Sequence, residues 1–406
     1  MMFHWFTLVL SYVAVLLLLC CLLPFSQIYS LLHTQDSLFD VVDSANNIRL
    51  ASAKKYFQNL DENSSLQLYK DRLSQGGIMF AVGIITVKRT KETKQHESLG
   101  YLLQSTSFMD SMLKGNAFFN SSVPFICNVD VFPQAHFDAV NLYPFMPYTE
   151  RFGSNSLGIA DVKIPNSSNL FRDFMNHQSR YHKETFDYTF CLLTAASLNP
   201  QFILLIEDDA IPQRDFPTVL EHLINFRLNL TSHGSQNFGF LKLYFPFKWQ
   251  GFGFELNKIV DLLSLSVIGA SIGCVVFHLS SYRHASSHTK RSVFVYGFLV
   301  TLITCWMIGR QNIIELRRIS RHLYRLQSSE GCCTQAMLYP LSVVKPLGQF
   351  LAHKHRNHHT DLTIIDFISH NSMPTLQVEP NLFYHIGLYT TLDMGQKNPE
   401  EFIFHW

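Results

Sequence analysis

At 406 residues the chain has room for two or three domains of ~150 residues, or one large α/β domain with additions. Charged residues make up 16% against a usual ~25%, and Phe 35, Tyr 16 and Trp 4 make aromatics abundant, which excludes an intrinsically disordered chain. Lys and Arg number 32 against 31 Asp and Glu, so the basic surplus of a nucleic-acid binder is missing, and 47% hydrophobic residues point to a soluble domain carrying a few membrane spans.

The first element in chain order, 5–25, contains no charged side chain. It meets the ~20 residues needed to cross a bilayer as a helix. No basic n-region precedes it, so it reads as an uncleaved signal anchor with 1–4 in the cytosol. Residues 26–75 are polar with heptad-like apolar positions, a helical stem or a first helical layer. A strand is predicted at 78–87, ending in Lys88 and Arg89, followed by an amphipathic helix with Leu99, Leu102, Leu103, Thr106, Met109 and Leu113 on one face. A second strand is predicted at 123–131, and a long helix at 170–198 stopped by Asn199-Pro200. Then comes a short, wholly apolar strand at 201–206, closed by Glu207, Asp208 and Asp209.

Two further apolar stretches follow, 259–279 with Asp261 near its start and 292–309 bracketed by Arg291 and Arg310. The short loop 280–291 between them makes a helical hairpin the natural reading. Gly269, Ala270, Ser271 and Gly273 suit close helix packing, and a pair of buried core helices is the alternative. A hairpin returns the chain to the side it left, so 26–258 and 310–406 share a compartment. Sequons at Asn63, Asn120, Asn166 and Asn229 favour the lumen. Arg283, Lys290 and Arg291 suit a cytosolic turn, but Arg310, Arg317, Arg318, Arg321 and Arg325 follow the hairpin on the lumenal side. They read as the polar face of an amphipathic helix whose apolar stripe is Ile313, Leu316, Ile319, Leu323 and Leu326. Four cysteines outside the spans allow three pairings; the expected one is Cys127–Cys191 with a vicinal Cys332–Cys333 bond. A zinc site is the alternative for these four, without a C-x-x-C spacing to support it.

Buried strands alternating with helices predict a mainly parallel, doubly wound sheet, which binds ligands at the carboxyl ends of its strands. Three consecutive acids at such an end repel one another and are penalised by burial unless a cation compensates. Mn²⁺ and Mg²⁺ take one or two carboxylates plus substrate phosphates, so strand, acids and diphosphate together suggest a nucleotide-sugar transferase. A salt-bridged acidic loop is the plain alternative.

The order IITVKR, LLIEDDAIP, a membrane hairpin, CCTQAMLYP and NLFYHIGLYTTL resembles the post-GPI-attachment N-acetylgalactosamine transferase family of the Golgi, over the whole chain. More distantly, EDD and HIGLYTTL are similar to branching N-acetylglucosaminyltransferases of the GT-A fold. The resemblance implies an α/β, GT-A-like (Rossmann-type) domain in two parts, 76–258 and 310–406, interrupted by the hairpin. It further implies UDP-GalNAc as donor, Mn²⁺ (or Mg²⁺) dependence, GPI-anchored proteins in the membrane lipid as acceptors at the first mannose, and a multi-pass Golgi protein with a lumenal catalytic domain. No nucleic-acid partner is expected.

Carried residue by residue, the resemblance makes Asp209 a metal ligand, with His385 completing the metal or diphosphate site. Glu207 and Asp208 would meet ribose or the metal's water shell, Thr86, Val87 and Lys88 the nucleoside, and Thr334 and Gln335 the sugar or diphosphate. An inverting linkage requires a base, for which Asp361 is the candidate and Asp366 the reserve. Asp361 is equally suited to start a helix, and His385 to a structural role. His353, His355, His358 and His359 invite a zinc reading, though a polar loop facing the acceptor is preferred. A lumenal phosphohydrolase and a non-catalytic three-span adaptor are the rival functions; for the former no second metal motif is visible.

Overall fold

The computed structural model describes residues 2–91, 94–153, 156–157, 180–228, 238–279, 287–329, 331–353, 359–389 and 396–403. The chain divides into two units, one formed by 42–245 with 320–398 and the other by 1–41, 246–319 and 399–406.

The larger unit is built on runs of apolar residues buried on both faces. Its strands are β1 (Phe80–Thr86), β2 (Thr90–Lys91), β3 (Lys94–Ser98), β4 (Val123–Asn128), β5 (Tyr148–Glu150), β6 (Ser156–Leu157) and β7 (Phe202–Glu207). After these come β8 (Ala210–Pro212), β9 (Phe240–Lys242), β10 (Arg325–Ser328), β11 (Ala336–Pro340), β12 (Thr375–Glu379) and β13 (Phe383–His385). Nine of them form one sheet in the order β10-β12-β9-β11-β7-β1-β4-β5-β6. β7, β1, β4 and β5 are mutually parallel, β9 and β12 share their direction, and β11, β10 and β6 oppose it.

Because side chains alternate across a strand, β7 sends Phe202, Leu204 and Ile206 to one face and Ile203 and Leu205 to the other. The first face packs on Tyr69, Leu102, Met109, Leu113 and Phe216, from helices Glu62–Gln75, Tyr101–Gly115 and Phe216–His222. The second face packs on helices Arg180–Ser197, Leu341–His353 and Thr360–His370, through Cys191, Leu347 and Ile364 among others. Burying each such aliphatic or aromatic side chain contributes roughly 1.5–3 kcal/mol. Cys127 of β4 is bonded to Cys191 across 64 residues, with Cα atoms 5.9 Å apart, which fastens the Arg180–Ser197 helix to the sheet. Cys332 and Cys333 are bonded to each other, so the expected pairing holds.

Residues 42–75 behave as a helical layer of this unit. Asp110 is buried and accepts from Tyr56 Oη at 2.7 Å, Lys114 Nζ at 2.7 Å and Tyr69 Oη. Tyr69 itself is fully buried.

The smaller unit contains helix Met2–Leu22 and the hairpin helices Leu256–Leu279 and Ser287–Ile308. Leu256–Leu279 and Lys290–Ile308 are long and apolar enough to cross a membrane. A Cβ on Gly269 would stand 2.2 Å from Thr301 Oγ1, and one on Gly297 3.1 Å from Ala270 Cα, so small residues set the helix spacing. Gly273 and Ser271, expected at this contact, lie off it: no heavy atom lies within 4 Å of a Cβ on Gly273, and Ser271 is exposed. The one acid of the hairpin helices, Asp261, pairs with Arg310 at 2.7 Å, and Arg310 also donates to Gln250 O at 3.0 Å. A charge near a helix end is thereby neutralised by the first residue beyond the hairpin. Met2–Leu22 meets helix Ser287–Ile308 through Tyr12 and Thr304.

The amphipathic helix expected over 310–326 is not continuous. An α-helix covers Arg310–Glu315, 3₁₀ turns cover Leu316–Ile319 and Arg321–Leu323, and Arg325–Ser328 is a strand. Ser320 is extended (φ −150°), and Leu326 pairs with Val378 of β12, so backbone pairing in the sheet overrides the helical period.

Candidate active site

Parallel pairing brings the carboxyl ends of β1, β4 and β7 to one edge of the sheet. Ile85 lies in register with both Cys127 and Glu207, and Thr86 with Asn128. Asp208 and Asp209 follow β7 directly, and the β8–β13 pair sets His385 opposite Ala210. A cavity of about 470 Å³ opens here. From the sheet edge it is walled by Thr86, Val87, Arg89, Glu207 and Asp209, and from the loop before β11 by Cys333, Thr334 and Gln335. The Arg180–Ser197 helix adds Lys183, Glu184, Asp187 and Tyr188, positions that share one helix face. His359, Asp361 and Lys397 complete the wall.

The acidic triplet is compensated from within the chain. Arg89 reaches Asp208 Oδ1 at 2.7 Å with one guanidinium nitrogen and Asp209 Oδ2 at 2.5 Å with the other. Asp208 Oδ2 also accepts from Thr86 Oγ1 at 2.7 Å, and Thr86 Oγ1 lies 2.8 Å from His136 Nε2. His385 Nε2 stands 2.9 Å from Asp209 Oδ2. Glu207 Oε1 accepts from Thr334 Oγ1 at 2.8 Å, and the Glu207 amide donates to Gln335 O at 2.9 Å. The Cys332–Cys333 loop is held by Lys242, which donates to Cys332 O, and by Asp361, whose Oδ2 accepts from the Cys333 amide at 2.7 Å. Gly387 is required for the close approach of this chain to Asp209: a Cβ there would stand 1.9 Å from Asp209 Oδ2.

Burial and mutual repulsion separate the acids. Burial, with the Asp209 charge adding, pushes Glu207 up to about 8. Burial raises Asp208 to about 6, with Arg89 opposing. Burial alone would raise Asp209 too, but Arg89 and His385 hold it well below the usual carboxylate range. Burial lowers His385 despite its partner. On the helix wall, burial pushes Glu184 up to about 7, with Asp361 and Asp187 adding and Thr360 opposing.

Among the described residues no group of three or more His, Cys, Asp or Glu side chains is placed to hold a metal. Asp209 Oδ1, however, is buried and makes no hydrogen bond. One partnerless carboxylate oxygen beside an imidazole fits a Mn²⁺ or Mg²⁺ ion that takes its remaining ligands from a diphosphate.

A family model described as GPI-N-acetylgalactosamine transferase PGAP4 matches residues 80–384, from the start of β1 to within β13. The chain belongs to this family. Membership makes it a glycosyltransferase, and the matched stretch carries both the acidic triplet and the hairpin that interrupts the larger unit.

Of the residues expected from sequence, Thr86, Val87, Glu207, Asp209, Thr334, Gln335 and Asp361 share the cavity wall. Lys88 and Asp208 are not on it: the Lys88 amide donates to Asp130 Oδ2 at 3.0 Å, and Asp208 faces Thr86 and Arg89. His385 reaches the site through Asp209. Asp366 does not line the cavity. His353 Nδ1 is occupied by Gln349 O at 2.6 Å and His359 meets the Tyr181 ring edge-on, while His355 and His358 lie outside the described residues. Asn120 is exposed, Asn63 sits in helix Glu62–Gln75, and Asn166 and Asn229 lie outside the described residues. Arg89, Glu184, His136, Gly387 and Lys397 were not foreseen as site residues. Arg89 had a signal, its place in IITVKR; for Glu184 the spacing of 183, 184, 187 and 188 marks a helix face without saying what it faces.

Proposed function

We propose that the protein transfers N-acetylgalactosamine from UDP-GalNAc to the GPI glycan of GPI-anchored proteins, at the first mannose, with inversion, in the Golgi membrane. The observation that carries this reading is the cavity at the carboxyl ends of β1 and β7, where Thr86, Val87, Glu207, Asp209, Thr334 and Gln335 meet. Its volume of about 470 Å³ lies within the range of small-molecule sites. A parallel core with ligand residues at its carboxyl edge supports a GT-A-like fold. Thr86 and Val87 would meet the nucleoside, Thr334 and Gln335 the sugar or diphosphate, and Glu207 the ribose. Lys88 and Asp208 would act one layer back, through their neighbours.

Asp209, with its partnerless Oδ1, and His385 beside it would hold Mn²⁺ or Mg²⁺. When bound, that ion supplies charge stabilisation for the departing diphosphate. Arg89 holds Asp209 ionised, and one of the cavity carboxylates Asp361 and Glu184 would receive the acceptor's proton. The contact of Tyr12 in Met2–Leu22 with Thr304 supports a retained anchor, and the parts 76–258 and 310–406 would then lie in the lumen. Spans inserted within the catalytic domain suit an acceptor that is itself membrane-anchored.

The test is UDP release by the detergent-purified protein from a panel of UDP-sugars, with Mn²⁺ and with EDTA. Manganese-dependent turnover favouring UDP-GalNAc and absent in Asp209→Ala is expected. Turnover indifferent to Asp209→Ala, or absent with every donor from folded protein, would overturn the reading.

A further inference from the structure

We propose that Glu184 is the general base of the transfer, and that Asp361 is a positioning residue holding the Cys332–Cys333 loop against the cavity. The inference rests on the transferase reading above and names a residue for its proton-transfer step.

The argument is one of uncommitted oxygens. Asp361 spends one oxygen on the Cys333 amide at 2.7 Å and the other on the Leu362 amide at 2.7 Å, at the first turn of helix Thr360–His370. Asp187 is paired with both Arg151 and Lys183. Asp209 is held by Arg89 and His385, which keep it a weak base. Glu207 accepts from Thr334. Glu184 combines an uncommitted oxygen with a raised carboxyl: its Oε2 is buried and has no hydrogen-bond partner, with His359 Nδ1 at 3.9 Å, whereas Asp209 Oδ1, also without a partner, belongs to a carboxylate that Arg89 and His385 hold weakly basic. The backbone is fixed by the Cys127–Cys191 bond on the same helix and by Thr185 Oγ1, 3.1 Å from Thr360 Oγ1. Glu184 is also close enough to Glu207 for its charge to raise that carboxyl. Burial further suits it to the task, because a carboxyl titrating near about 7 is poised between proton acceptance and release at neutral pH.

In the step, the Glu184 carboxylate takes the proton of the acceptor sugar's hydroxyl as that oxygen bonds to C1 of the donor sugar. The C1–oxygen bond to the diphosphate breaks, and its electron pair leaves on the terminal phosphate oxygen as UDP. Glu184 then returns its proton to water. Burial, a hydrogen bond from Thr360, and the charges of Asp361 and Asp187 set the pH at which this carboxyl works, and His359, Lys183 and Glu207 line the same cavity.

The experiment uses the full-length protein in detergent, UDP-GalNAc, Mn²⁺ and a purified GPI-anchored protein as acceptor. Glu184→Gln is expected to lower the transfer rate by about 10²–10⁴-fold, while thermal protection by UDP stays as in wild type. Glu184→Asp should regain part of the loss. In wild type the rate should rise with pH through about 7, an arm that residual Glu184→Gln activity lacks. Transfer by Glu184→Gln at close to the wild-type rate, or loss of that arm in Asp361→Asn instead, overturns the inference and leaves the transferase reading intact. Folded wild-type protein that transfers nothing overturns both.

Discussion

Gly387→Ala is the sharpest probe of the acidic site. The added Cβ would stand 1.9 Å from Asp209 Oδ2, 2.7 Å from its Cγ and 2.8 Å from His385 Nε2, all inside ordinary contact distance. Relief requires a shift of about 1.5 Å between Asp209 and the loop after β13, and a misplacement of about 1 Å at reacting groups costs on the order of 10²-fold in rate. Overpacking adds a stability loss of about 1–3 kcal/mol. Gly83→Ala is the control: its Cβ would meet Leu205 at 2.7 Å and Phe125 at 2.8 Å in the core, with a similar stability cost and no contact with the acids. Transfer rate and thermal unfolding should therefore diverge, with Gly387→Ala losing about 10²-fold in rate and Gly83→Ala losing only stability. If the two variants lose activity only in proportion to unfolded protein, the Asp209–His385 arrangement is not what the reaction needs.

Three other outcomes follow from the same contacts. Arg89→Met leaves Asp208 and Asp209 buried without their cation and should cost about 3–5 kcal/mol in thermal unfolding; an unchanged melting temperature would contradict the ion pairs. Breaking Cys127–Cys191 with Cys127→Ser releases a 64-residue loop, worth about 4 kcal/mol of chain entropy, and should be read as an earlier unfolding transition under oxidising conditions. Glu184 titrates near about 7 folded against 4.5 unfolded, so between those values the folded state keeps a proton that the unfolded state releases. Stability must then fall as pH rises through that window, by up to about 3 kcal/mol, and Glu184→Gln should flatten the slope in pH-dependent melts.

Local pattern carried much of this protein. The uninterrupted apolar runs of the hairpin, observed as Leu256–Leu279 and Ser287–Ile308, need only length and hydropathy to be read. The runs that became β1, β4 and β7 are equally local, because strands buried on both faces show no polar alternation. An acidic triplet after such a strand marks the carboxyl edge at which the cavity lies. Family membership lay in the same short strings.

What tertiary structure decided are relations between distant segments. A helix period over 310–326 lost to strand pairing with β12, since Leu326 gains a partner in the sheet that no local pattern displays. Whether the three acids face a metal, a salt bridge or one another depended on Arg89, whose guanidinium sits between two of them only because β1 and β7 are neighbours in register. The candidate base shifted from Asp361 to Glu184 for a similar reason. Which carboxylate is committed to the backbone is settled by the loop at Cys333 packing against helix Thr360–His370, a contact between segments 28 residues apart. Periodicity reports which side of an element is buried; only the assembled edge of the sheet reports what that side meets.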